Sequence, residues 1–104
     1  MIRGDVHSIT FKLPDKKRPA LILTRDEAIP ELNAVTVIPI TTAIRNVRSQ
    51  VWVNEEDGLE EVSVINLDNI QTVSKQKIGG YITHLSDERL QEVFEAMKFA
   101  FDFK

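Results

Sequence analysis

The chain has 104 residues, 42% of them apolar, enough to build one core and too few for two. It has no cysteine, which excludes a disulfide scaffold, a zinc–thiolate site, a thiol nucleophile and an iron–sulfur cluster together. The net charge of −3 argues against a polyanionic partner, but the total averages two unlike halves: residues 1 to 52 carry eight cations against five anions, residues 53 to 104 five against eleven.

Residues 1–104 read as one domain. No apolar run approaches the roughly 20 residues of a spanning helix, and the first residues do not read as a secretory signal, so a cytoplasmic protein without a membrane partner is expected. Short runs rich in Val, Ile and Thr, separated by turn residues, dominate the first three quarters. Residues 5–11 read as the first strand. Leu13-Pro14-Asp15-Lys16-Lys17 reads as a turn with a basic tip, since proline fixes φ and the following Asp can bond its own backbone. Residues 19–23 read as a buried strand with Pro19 at its first position, where a missing N–H does least harm. Residues 24–27 suggest one helical turn. Further strands are expected over 34–40, 51–53, 62–67 and 70–73, with an acidic turn at 54–58 and a tight turn at Asp68-Asn69. Five or six short strands at this spacing suggest a small curled sheet or barrel.

The period then changes. Ser86 is a good N-cap, Asp87 and Glu88 suit the first turn, and Leu90, Val93, Phe94, Met97 and Phe101 recur at helical spacing, predicting a terminal helix with one apolar stripe. Phe99 and Phe103 fall opposite that stripe, which fits either a fraying chain end or a face that meets a second subunit or a peptide.

Several chemistries are excluded by spacing. Gly4, Gly58, Gly79 and Gly80 write neither a dinucleotide fingerprint nor a P-loop. A calcium loop with Gly58 at its sixth position would start on Val53 and end on Val64, neither of them a ligand. His7 and His84 stand at no metal-ligand spacing, so neither a metal nor another cofactor is expected. They remain open to two readings: an acid–base pair for metal-free RNA cleavage, or a half-buried strand histidine and one that bonds backbone before the helix. Trp52 points away from Val51 and Val53, as core or dimer interface on one reading and as a stacking platform on the other.

Four pieces stand out in order: Arg3-Gly4-Asp5-Val6, Lys17-Arg18-Pro19-Ala20-Leu21-Ile22-Leu23, Ile38-Pro39-Ile40-Thr41-Thr42, and Gly58-Leu59-Glu60-Glu61-Val62-Ser63-Val64-Ile65 followed by Asp68-Asn69-Ile70-Gln71-Thr72-Val73-Ser74-Lys75. In order and spacing they resemble the MazF/PemK family, the toxin halves of bacterial type II toxin–antitoxin pairs. The resemblance implies an α+β, mainly β fold, a small SH3-like or CcdB-like barrel of five to seven short strands with a C-terminal helix. It further implies a homodimer, a cognate antitoxin, and a metal-independent endoribonuclease that cuts single-stranded RNA, including mRNA, at short sequences. In such a reaction the RNA 2′-hydroxyl attacks the adjacent phosphorus, leaving a 2′,3′-cyclic phosphate and a 5′-hydroxyl.

The family's catalytic arginine and threonine match Arg18 and Thr41. Lys16, Lys17, Thr42 and Ser63 are expected to bind RNA, with Glu60 and Glu61 near enough to read base edges. The first turn is short and basic, Val62 stands where an aspartate is common, Gln71 where a basic residue is common and Asn69 where glutamine is, so the family's RNA sequence preferences do not carry over. The anions of the 54–61 turn and the terminal helix cost little phosphate affinity if those elements lie away from the active face. A second reading is a non-catalytic toxin of the same fold, of the CcdB type, that binds DNA gyrase.

Overall fold

The computed structural model describes residues 1–11 and 16–103. The strands are β1 (Asp5–Thr10), β2 (Lys17–Ile22), β3 (Ala34–Thr41), β4 (Gln50–Val53), β5 (Ser63–Asn66), β6 (Gln71–Ser74) and β7 (Ile78–His84), followed by helix α1 (Asp87–Ala100); short 3-10 turns lie between them. All pairings are antiparallel, in the order β4-β5-β3-β2-β1-β7, with β6 also on β3. The sheet is barrel-like without closing, and the mainly β architecture with a C-terminal helix is as expected. Leu13, Pro14 and Asp15, the centre of the expected basic turn, lie outside the described residues.

Strand β3 organises the rest. Its residues 37–39 pair with β2, while on the other side 34–37 pair with β6 and 40–41 with β5. Because side chains alternate along a strand, β2 and β3 bury residues on both faces. Leu21, Ile38 and Ile40 join Val6, Val51, Val53, Ile65 and Leu67 in one cluster; Ala20, Ile22, Val35 and Val37 join Ile9 and Ile29 in a second. Two apolar clusters thus replace the single core expected from length, and they explain why residues 20–23 run apolar without a break.

Strand β7 was not legible. Gly79 and Gly80 depress strand propensity there, and the segment is extended because it pairs with β1, with register breaks on both sides of His7. Pro19 corrects a boundary: β2 begins at Lys17, and Pro19 sits inside it opposite Ser8. It is tolerated where β1 is the strand's only partner, since pairing with β3 starts at Ala20.

Helix α1 begins as expected, with the Ser86 hydroxyl accepting the Arg89 N–H at 3.2 Å. The Arg89 guanidinium donates to Asp57 at 3.0 Å, fastening the helix to the acidic turn; that hydrogen bond outweighs burial and pushes its pKa further up. The buried stripe is narrower than the sequence suggested. Val93 and Ala96 are buried with Leu90, Met97 and Ala100 beside them, whereas Phe94 and Phe101 are as exposed as Phe99 and Phe103. Arg48 covers the Phe99 ring at 4.3 Å and Lys98 the Phe94 ring at 4.8 Å. No described helix is long and apolar enough to cross a membrane.

Candidate active-site cleft

Pairing between β2 and β3 ends at Ala20–Pro39. Proline has no N–H to give a ladder, and beyond it β3 turns to β5, where Ile40 pairs with Ile65 and Thr41 with Val64. The ends of β2 and β3 therefore separate. A cleft of about 840 Å³ opens between them, lined by Lys16, Lys17 and Arg18 on one side and by Thr41, Thr42 and Ala43 on the other. Glu60, Glu61 and Ser63 form a third wall, and Ser8 and Ile82 complete it from β1 and β7. All six residues singled out from the sequence, Arg18, Thr41, Lys16, Lys17, Thr42 and Ser63, meet there.

The charges in this cleft are unmatched. Among the described residues, Lys16, Lys17, Arg18, Glu60 and Glu61 form no ion pair with one another or with anything else. Exposed cations held side by side without partners are available to an anion, and the planar guanidinium of Arg18 suits two oxygens of one phosphate. Thr41 is half-buried, and its Oγ1 accepts the Ala43 N–H at 3.1 Å, so the hydroxyl proton remains free to donate. Ser63 is more constrained: it is buried, and its hydroxyl donates to the Glu61 carbonyl at 3.0 Å, which shapes the acidic wall.

The acidic helix lies away from the cleft, but Glu60 and Glu61 belong to the lining. Gly58 brings them there. Its φ of +97° is unfavourable for other residues, and a Cβ would overlap the Thr83 side chain, whose hydroxyl donates to the Asp57 carbonyl at 3.0 Å.

The histidines do not enter the cleft. His84 Nδ1 lies 2.8 Å from Asp5 Oδ1, and His7 Nδ1 donates to the Gly79 carbonyl at 2.9 Å, with its Nε2 3.8 Å from the other Asp5 oxygen. They brace β1 against β7 around one buried carboxylate and do not form an acid–base pair at Arg18. Burial pushes the Asp5 carboxyl up, but the Ile2 amide, then His84 and His7, outweigh it, and its pKa falls below the ordinary 3.8. Trp52 is 46% exposed, which removes the core reading. Ile82 was missed because β7 was not read, although Tyr81, Ile82 and Thr83 after the two glycines are residue types that favour a strand.

Comparison with known proteins agrees along nearly the whole chain. The model of the PemK-like, MazF-like toxin of type II toxin–antitoxin systems matches residues 2–101. Endoribonuclease MazF3 of Mycobacterium tuberculosis is 42% identical over 88 residues, 85% of each chain. The structure of M. tuberculosis toxin MazF-mt6 superimposes with a TM-score of 0.90 at 37% identity, covering 96% of this chain and 98% of that one. A mycobacterial endoribonuclease in complex with its cognate antitoxin shares the fold at a TM-score of 0.86 and 23% identity, covering 100% of this chain and 97% of its own.

Proposed function

This chain belongs to the PemK-like, MazF-like toxin family of type II toxin–antitoxin systems, and on that premise we propose that its cleft cleaves single-stranded RNA without a metal ion. The observation that carries this reading is the meeting of unpaired Lys16, Lys17 and Arg18 with the Thr41 hydroxyl in one cleft. A strand of RNA supplies its own nucleophile. The 2′-hydroxyl loses its proton and attacks the adjacent phosphorus, the bond to the 5′-oxygen breaks, and that oxygen takes up a proton, leaving a 2′,3′-cyclic phosphate and a 5′-hydroxyl.

The protein's task is then charge and proton management. A guanidinium holds its proton too firmly to serve as a base, so Arg18 stabilises the crowded phosphorane and hydrogen-bonds the leaving oxygen. Thr41 donates to a non-bridging oxygen. Lys16 and Lys17 follow the neighbouring phosphates, and Thr42 adds a hydroxyl beside Thr41. Among the described lining residues, Glu60 and Glu61 are the carboxylates; one takes the 2′-hydroxyl proton and the other accepts from a base amino group.

The active particle is a homodimer, which would cover some of the four exposed phenylalanines at the end of the chain. The cognate antitoxin is a disordered acidic segment that orders along the cations and occupies the RNA path. The second reading, a gyrase-binding toxin, is not favoured, because a relative matched over 85% of this chain is an endoribonuclease.

The test is incubation of purified protein with a long mixed-sequence RNA in excess chelator, beside Arg18→Ala and Thr41→Ala. Fragments ending in cyclic phosphate are expected from the wild type and far more slowly from either variant. Intact RNA in every lane, or cutting by both variants as fast as by the wild type, would overturn the proposal.

A further inference from the structure

We propose that Gln50 is a positioning residue that aims the Thr41 hydroxyl through the backbone of Ala43. The inference rests on the reading of Thr41 as a phosphate donor.

After Thr41 the chain leaves β3, and Thr42 to Arg48 are exposed and form no strand or helix. Asn46 adopts a φ of +56°, and within the loop the Ile44 N–H donates to the Thr42 carbonyl at 3.0 Å. Gln50 ties the loop to the sheet. That residue is 6% exposed and is the first residue of β4, in register with Asn66 of β5. Directly before it, the Ser49 carbonyl accepts the Leu67 N–H at 2.9 Å, and the Ser49 hydroxyl donates to Asp68 at 2.5 Å.

The Gln50 side chain reaches back across the loop. Its Oε1 accepts the Arg45 N–H at 2.8 Å, and its Nε2 donates to the Ala43 carbonyl at 3.3 Å. These partners fix the orientation of the amide, because a backbone N–H needs the oxygen and a carbonyl needs the nitrogen. Ala43 is thereby held at both its polar groups: Gln50 takes its carbonyl, and its N–H goes to Thr41 Oγ1. A free hydroxyl rotates and trades partners with water. One whose lone pair already accepts a fixed N–H has its proton turned elsewhere, and Thr41, Thr42 and Ala43 all line the cleft. Gln50 itself does not line the cleft, so it touches no substrate and acts only through Ala43. Preorganisation of this kind shows in the rate of the chemical step more than in RNA binding.

The experiment is a single-turnover comparison of wild type, Gln50→Met, Thr41→Ala and the double variant on a mixed-sequence single-stranded RNA, with RNA affinity measured alongside. Gln50→Met keeps the side chain's length and removes both hydrogen bonds. It is expected to slow cleavage roughly tenfold with affinity within about threefold, since a misaimed donor costs rate before binding. Added to Thr41→Ala it should cost less than about twofold more, because the group it aims is already gone.

Gln50→Glu provides the second readout. As a carboxylate it cannot donate to Ala43, but protonated it can again donate and accept, so its rate relative to wild type should recover as pH falls and the carboxylate takes up its proton. Should Gln50→Met not fold, Gln50→Glu in the same pairing with Thr41→Ala takes its place. Equal slowing by the Gln50 change in the presence and absence of Thr41, or no slowing at all, would overturn the positioning role. Wild-type cleavage by Thr41→Ala would instead overturn the reading of Thr41, and the Gln50 role with it.

Discussion

Arg18 and Thr41 each stand two residues past the last pair joining β2 and β3, Ala20–Pro39, and both line the cleft where those strands part. With a side-chain period of two, each points to the same face as its partner in that pair. A cation and a hydroxyl on two rigid strand ends are held in fixed relation without any loop having to close.

Loss of Arg18 should therefore cost most. Arg18→Ala is expected to lower cleavage at least about 100-fold and Thr41→Ala roughly 10- to 100-fold, as for removal of transition-state hydrogen-bond donors. Arg18→Lys should recover only part of the loss, because an ammonium cannot bind two oxygens in a plane. Single-turnover rates on one RNA check all three; full activity in Arg18→Lys would show that charge alone suffices.

Lys16 and Lys17 should act on binding. Lys16→Ala and Lys17→Ala are each expected to weaken RNA affinity and to reduce the slope of log affinity against log salt by about 0.7, the value for one phosphate contact on a single strand. A titration across salt concentrations reads this, and an unchanged slope in both variants would place the RNA backbone elsewhere.

The acidic wall should act on the rate. One of Glu60→Gln and Glu61→Gln is expected to lower the single-turnover cleavage rate at least about tenfold, as loss of a general base does. The other should alter which sequences are cut. If both variants keep the wild-type rate, the proton acceptor is not on this wall.

Asp5 ties stability to acid pH. Its pKa is lower in the folded chain than the ordinary 3.8. The unfolded state therefore binds the proton more readily, and the contribution of Asp5 to stability is present above that value and fades as pH falls through the lower folded one. Denaturant unfolding between pH 2 and 6 should show this as a slope. Asp5→Asn, which loses the anionic partner of His84, should be less stable at pH 6 and less steep below 4.

Gly58 is a stability position that acts on the site. Gly58→Ala is expected to cost at least about 1 kcal/mol, from its left-handed φ and the overlap with Thr83. Partial relief in the double variant with Thr83→Ala, which removes Oγ1, the atom nearest the added Cβ, larger than additivity allows, would identify that contact as the cause.

Much of this chain announces itself locally. Ser86, the two acids after it and the spacing of Val93 determine the helix, and the apolar runs at 20–23 and 34–40 determine two strands, since each signal needs only near neighbours. The failures have a common origin. In strand β7 Gly79-Gly80 interrupt the strand-favouring Ile78, Tyr81, Ile82 and Thr83, and pairing with β1 keeps the segment extended across that break. Phe94 and Phe101 fit a helical stripe, but the sheet offers a surface wide enough only for Val93, Ala96 and their immediate neighbours. His7 and His84 lie 77 positions apart in sequence, and only the pairing of Asp5 with His84 reveals that one carboxylate serves both.

By itself, the sequence determined the residue types: cations around Arg18, a hydroxyl pair at Thr41-Thr42, no cysteine, and an order of motifs that resembles the family. Tertiary structure decided which of them share a space. Whether Glu60 and Glu61 line the cleft or face outward depends on the backbone at Gly58, packed against Thr83, and the Ala43 backbone that Thr41 bonds is held by Gln50, paired in its strand with Asn66. Such relations depend on contacts between distant segments, and a linear pattern of residue types carries no information about distances across a sheet.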